Sequence, residues 1–174
     1  MSSSLSPKKF ALFLLAFAGS AVSQTTIPDA QYTIVNNCPG TVALRTGGQS
    51  DGTLAAGESV TKTLPTNNAG PFVVTTPGQS DISGLEAGFQ FPSTYYIAKL
   101  PFPQRSVTAG ISITPSAPSN NGFCDVARCD DADCTDALPQ PPTGIVNTTP
   151  PGHSCPVSGV SYTVTFCPSG AFSS

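Results

Sequence analysis

Basic side chains are scarce in this sequence and nowhere cluster. Lys and Arg together number seven among 174 residues, and two of them, Lys8 and Lys9, fall within the first ten. Without a cationic patch, a phosphate backbone or an anionic bilayer has little to grip, which argues against nucleic acid and membrane surfaces as partners. Long apolar runs are equally absent beyond the N-terminus, where no segment approaches the roughly 20 residues of a membrane helix. Helical periodicity is missing as well: no stretch of a dozen residues repeats apolar positions at three- and four-residue spacing without a Gly or Pro interrupting it. Histidine occurs once, at position 153, so any reaction needing that side chain has a single candidate.

What is present at the N-terminus is an export signal. Lys8 and Lys9 precede the apolar run from Phe10 to Ala18, and Ala21 and Ser23 flank Val22 with the small-residue spacing of a cleavage site before Gln24. Residues 1–23 are predicted to be a secretory signal peptide, too short for an anchor. Residues 24–174 are predicted to form one domain that is secreted, extracellular or wall-bound, and monomeric. That mature chain carries five basic side chains (Arg45, Lys62, Lys99, Arg105 and Arg128) against ten carboxylates, a net charge of −5.

Strand signals fill most of it. In Ser161-Tyr162-Thr163-Val164-Thr165-Phe166-Cys167-Pro168, apolar residues alternate with threonines that suit a pleated, half-buried surface, and the proline stops the ladder. Tyr32-Thr33-Ile34-Val35-Asn36-Asn37-Cys38-Pro39 is a near-copy at the other end, which suggests a fold zipped from end to end. Residues 41–46, 58–64, 72–76, 85–91, 95–100 and 110–114 read as further strands, with 47–52 as a turn and 58–64 as an edge or half-exposed strand. The expected architecture is an all-β sandwich.

Four of the six cysteines (Cys124, Cys129, Cys134 and Cys155) crowd into residues 116–156, a stretch rich in Pro, Asn and Asp and poor in large apolar groups. Such a segment cannot order itself by burial, so covalent cross-links must hold it. An even cysteine count in an exported chain reads as three disulfides, although spacing alone does not choose the pairing. Asn147-Thr148-Thr149 is an N-glycosylation sequon in a surface loop.

The terminal strands, together with Gly122-Phe123-Cys124, Arg128-Cys129, Asp133-Cys134 and Cys155-Pro156, resemble the thaumatin-like (pathogenesis-related 5 type) family. The resemblance implies a thaumatin-like β-sandwich with a disulfide-pinned loop region. It also implies the pairs Cys38–Cys167, Cys124–Cys155 and Cys129–Cys134, worth roughly 5, 3.7 and 2 kcal/mol in the chain-entropy view. Larger members carry a second disulfide-rich lobe, and the short interval from Cys134 to Cys155 leaves no room for it. The family's acidic cleft is incomplete here: Glu86 is similar in place to its glutamate, Tyr95 and Ala98 stand where aspartates would, and its arginine has no counterpart.

Candidate chemistry is correspondingly thin. Glycoside hydrolysis needs two carboxyl groups roughly 5–9.5 Å apart, and Glu86 with Asp81 is the pair near that segment. Gly48-Gln49-Ser50-Asp51-Gly52 spells a nucleophile elbow, but that motif works on a strand-to-helix turn, and this stretch reads as turn chemistry. Asp125, Asp130, Asp131, Asp133 and Asp136 could offer oxygens to calcium, but without a loop glycine or closing glutamate they read as a solvated acidic loop. Cysteines at this density in an exported chain oxidise rather than bind zinc, so no metal and no cofactor is expected. Tyr95, Tyr96 and Phe102 could stack on sugar rings, and adjacent tyrosines send one ring to each face of a sheet. The resemblance implies a non-enzymatic protein that binds cell-wall polysaccharide (β-glucan) in a defence or antifungal role. The alternatives are a β-1,3-glucanase and a secreted protein-interaction module (effector or inhibitor type), with the disulfide loop around Cys124–Cys155 as its contact surface.

Overall fold

A computed structural model describes residues 28–66, 69–75, 84–90, 93–101, 108–118, 123–131, 133–155 and 159–173. The predicted signal peptide, Asp81 and Phe102 lie outside the described residues. No helix occurs among those described.

The two near-copies lie side by side. Strand β1 (Asp29–Asn36) runs parallel to β12 (Tyr162–Phe166), with Tyr32 opposite Tyr162, Ile34 opposite Val164 and Asn36 opposite Phe166. β4 (Ser59–Pro65) closes one edge beside β1. β9 (Ile111–Pro115) and then β10 (Ala127–Cys129) extend the other side, giving the order β10-β9-β12-β1-β4. The second sheet has six strands in the order β11-β7-β6-β5-β2-β3. They are β2 (Val42–Thr46), β3 (Gln49–Leu54), β5 (Phe72–Thr75), β6 (Leu85–Gln90), β7 (Thr94–Lys99) and β11 (Gly152–Ser154). A small ribbon pairs β8 (Thr108–Ala109) with β13 (Phe172–Ser173).

The period-two alternation turns one face of each sheet inward, and aromatic rings join the two. Tyr32 and Tyr162 stack with centroids 5.8 Å apart, a consequence of their parallel register. Phe89 from the second sheet meets Tyr32 edge-on at 4.7 Å and Tyr162 at 5.1 Å. Aliphatic residues continue the layer, Ile34, Ile111, Ile113 and Val164 from one side and Leu44, Val74, Leu85 and Ile97 from the other. Burying such side chains contributes about 1.5–3 kcal/mol each.

The structure contains three disulfides, Cys38–Cys167, Cys124–Cys155 and Cys129–Cys134, the pairs that the resemblance implies. The first joins the ends of β1 and β12 across a sequence separation of 129. The same corner is pinned by Asn36, which is fully buried. Its amide nitrogen donates to the carbonyls of Gly40, Leu54 and Ala55, and its oxygen accepts from the Cys38 N–H.

One expectation changes. The stretch read as a turn over 47–52 turns only at Gly47 and Gly48, both at positive φ, and then continues as β3 along the sheet edge. Five of the six β3 residues are exposed, so the strand has no apolar alternation to announce it. Strand β4 is an edge strand, as its pattern suggests, and Lys62 on it reaches Asp51 on β3 at 2.6 Å, tying the edges of the two sheets together.

Candidate functional site

Strand β7 has one edge on β6 and offers the other to two separate pieces of the cysteine-rich segment. β11 pairs along it, with Gly152 opposite Tyr96 and His153 opposite Tyr95. One step further along, Leu138 makes a parallel bridge to Ala98, donating its N–H to Ile97 O at 2.8 Å and accepting from Lys99 N at 2.9 Å. The chain from Pro139 to Pro151 thus begins and ends as neighbours on one strand and folds back as a loop. Five of its residues (Pro139, Pro141, Pro142, Pro150 and Pro151) are prolines, which restrict the backbone before any contact is made.

The loop covers the outer face of the second sheet. Leu138 and Val146 pack there on Tyr96 and Ala98. Gly88, directly across from Tyr96, is what lets the ring lie down: a Cβ at that position would stand 2.1 Å from the ring. Gly152 plays the same part at the loop's return, where a Cβ would fall 1.9 Å from the Asn147 carbonyl oxygen. Gln90 fastens the tip. Its amide nitrogen donates to Gly144 O and its amide oxygen accepts from Val146 N, both at 2.9 Å, so one side chain behaves like a strip of backbone.

At the loop's stem, His153 Nε2 faces Asp136 Oδ1 at 3.1 Å, and the other oxygen of Asp136 accepts the Arg128 N–H at 2.9 Å. The imidazole stacks on Tyr95, centroids 5.2 Å apart, and the Tyr95 hydroxyl donates to the Asp125 carbonyl. His153 is buried, and its Nδ1 has no hydrogen-bond partner. It lies on strand β11, not in an open loop, and far along the sheet from Ser50 on the opposite edge strand. The nucleophile-elbow spelling therefore marks a hairpin edge.

Glu86 lies on the Ala98 face of the same sheet. It sits on β6 opposite Ala98 and is 6% exposed. Burial pushes its carboxyl up to about 7, and no charged neighbour among the described residues contributes to that shift. Tyr96, buried beside it, is pushed up to about 12, first by burial and then by the Glu86 charge. The second carboxylate expected of a glycosidase, Asp81, falls outside the described residues.

The expectation that one of the adjacent tyrosines faces solvent is corrected. Tyr95 is 0% and Tyr96 7% exposed. The strand does send them to opposite faces, but one face is the sandwich core and the other is roofed by the loop. Neither ring can stack on a sugar from solution. The acidic residues pair locally: Arg128 with Asp130 at 2.9 and 3.1 Å, and the Asp133 N–H with the Asp131 carboxylate at 2.9 Å. No group of three or more potential ligands able to hold a metal occurs among the described residues.

Among the described residues, the large apolar side chains left exposed are Phe123, Val126 and Ile145. All three belong to the segment bounded by the Cys124–Cys155 bridge or lie next to it. Ile145, at 95% exposure, stands at the loop tip between the clamped Gly144 and the buried Val146. Beside it runs a groove of about 390 Å³ lined by Gln90, Pro142, Thr143, Gly144 and Ile145. Asn147 is exposed two residues beyond the tip.

No family model matches the chain, and no curated protein matches it in sequence. Among solved structures, the protein elicitor MoHrip2 from Magnaporthe oryzae is similar at 18% identity, with a TM-score of 0.48 over 79% of this chain and 98% of its own. The thaumatin-like xylanase inhibitor TLXI is similar at 19% identity, with a TM-score of 0.49 over 79% of this chain and 99% of its own. At those values neither protein's role passes to this chain.

Proposed function

We propose that this chain is a secreted, non-enzymatic binding protein whose target is another protein, met through the disulfide-pinned segment from Phe123 to Cys155. One observation carries the reading: the large apolar side chains left exposed among the described residues all fall in that segment, and the most exposed, Ile145, sits on a loop fixed at both ends and in the middle. Exposed apolar groups on a rigid frame bind with little ordering cost. Secretion rests on the signal peptide, and the three disulfides suit an oxidising compartment.

The β-glucan reading rests on the resemblance, and two of the rings it would use, Tyr95 and Tyr96, are buried. The glucanase reading needs a solvent-reachable pair of carboxyl groups, and Glu86 is buried. The test compares three readouts on one preparation: sugar release from laminarin, retention on insoluble β-glucan, and capture of proteins from secreted fluid by wild type and by Ile145→Asp. The reading expects no release, no retention, and a captured protein that Ile145→Asp loses. Retention on glucan that is indifferent to Ile145, or laminarin cleavage lost in Glu86→Gln, would refute it.

A further inference from the structure

Two residues beyond Ile145 stands the amide of a glycosylation sequon, Asn147-Thr148-Thr149. The loop from Pro139 to Pro151 holds no charged residue, so its tip suits a neutral cover. Gly144 O and Val146 N–H both face the Gln90 side chain, the direction they take when residue 145 is extended. Exposure then alternates as it does along a strand, with Ile145 and Asn147 outward and Val146 buried between them. Two residues of extended chain span roughly 6.5 Å, a gap that a single sugar ring on Asn147 can bridge. The relation is held in place at both ends. Gln90 fastens the backbone on either side of Ile145, and at the return a Cβ on Gly152 would fall 1.9 Å from the Asn147 carbonyl oxygen. Asn147, Thr148 and Thr149 are all exposed, so a glycan fits there without disturbing the fold.

We propose that an N-linked sugar on Asn147 lies across Ile145 and closes the loop tip, so that occupancy of this sequon sets how much of the exported protein can bind its partner. This rests on the protein-binding reading above and names the regulation of its contact surface. Glycosylation joins the Asn147 side-chain nitrogen to the anomeric carbon of an N-acetylglucosamine. The bond broken is the sugar–phosphate bond of a lipid diphosphate-linked oligosaccharide; the amide nitrogen gives one proton to a base of the transferase, and the lipid diphosphate leaves. A pyranose ring carries C–H bonds on its faces, and resting one on Ile145 takes apolar surface of both partners out of water. Pro150 directly follows the sequon and holds Thr149 to extended conformations. That hinders the compact turn in which the amide is transferred to, so glycosylated and unglycosylated chains are both exported.

The test reads the contact and its consequence separately. The full chain is secreted from a eukaryotic host with its disulfides intact, and its two forms are resolved by mass. Part of the glycosylated form is trimmed by an endoglycosidase to the innermost sugar, and Thr149→Ala supplies a chain that keeps Asn147 but cannot be modified. With isoleucine methyls labelled for NMR, the trimmed form is expected to show nuclear Overhauser contacts between the Ile145 methyls and the sugar ring. Ile145 should shift relative to Thr149→Ala, while the buried Ile34 and Ile113 stay unchanged. In capture from secreted fluid, Thr149→Ala is expected to act at about a tenth of the concentration needed by the glycosylated form, the value of one aliphatic side chain withdrawn from a contact. Adding Ile145→Asp to Thr149→Ala should abolish that gain. The trimmed form is too small to obstruct a partner by bulk, and should capture as poorly as the full glycan. A chain exported with no sugar, a sugar that leaves the Ile145 methyls unshifted, or capture restored by trimming would overturn the inference. Equal capture by both forms, lost on Ile145→Asp, would also overturn it and leave the protein-binding reading standing. Capture by neither form would overturn that reading and the inference with it.

Discussion

The burial of Glu86 on β6 has the sharpest energetic consequence. Its carboxyl moves from an ordinary value of 4.5 to about 7 because burial disfavours the charged form. The native state therefore holds a proton between those values that the unfolded chain has released. The stabilisation linked to this group is complete below about pH 4.5 and is lost as pH rises through about 7. A displacement of that size corresponds to about 3 kcal/mol, at roughly 1.4 kcal/mol per pH unit. With the group 6% exposed, solvent does little to screen it. Glu86→Gln keeps the volume and removes the titration. The variant should match wild type within about 1 kcal/mol near pH 4.5 and exceed it by about 3 kcal/mol near pH 9. For a chain of this size that is a melting difference of roughly 6–12 °C. Denaturant or thermal unfolding with the disulfides intact, run on both proteins from pH 4.5 to 9, measures it. If the two stability curves run parallel across that range, Glu86 is not a buried acid.

Other perturbations test other joints. Asn36→Ala removes the side-chain partner of the Gly40, Leu54 and Ala55 carbonyls and of the Cys38 N–H, Ala55 O keeping the Glu58 N–H, and should cost about 3 kcal/mol in denaturant unfolding. Opening Cys38–Cys167 by paired Ala substitutions should cost about 5 kcal/mol and opening Cys129–Cys134 about 2, because the separations are 129 and 5 residues; equal losses would contradict the order. Gln90→Ala should raise the hydrogen-exchange rate of Val146 N–H by tenfold or more while leaving β1 and β12 amides unchanged. Asn147, exposed within a sequon, should carry a glycan that a glycosidase removes with a corresponding loss of mass.

Much of the sandwich could be read from the chain because its information is local. Tyr32, Ile34, Tyr162, Val164 and Phe166 alternate with threonines and polar residues, and that pattern means the same thing wherever the strand ends up. Strand β3 escaped notice because five of its residues face solvent and its glycine resembles a turn. β10 and β11 have three residues each, too few for any period. The roof was invisible for a different reason. Whether Tyr96 is buried depends on residues 138–152 folding back on β6 and β7, a contact between segments some fifty residues apart in sequence. Gln90 joins segments more than fifty residues apart and the Asp136–His153 pair segments 17 apart, through ordinary polar side chains that nothing in their local sequence marks. A signal was present for Ile145: the Ile145-Val146 pair after Pro-Pro-Thr-Gly, in a stretch otherwise poor in large apolar groups, has no local strand or helix to bury both side chains.

The claim that a rigid loop is the contact surface meets its most direct test in a hydrogen-exchange footprint. A protein captured from secreted fluid by wild type, but not by Ile145→Asp, is added back to the purified chain, and amide protection is mapped along the sequence. Protection gained at residues 138–152, with the exposed edge strands β3 and β4 unchanged, is the predicted result; protection gained at β3 and β4 with residues 138–152 unchanged would contradict it.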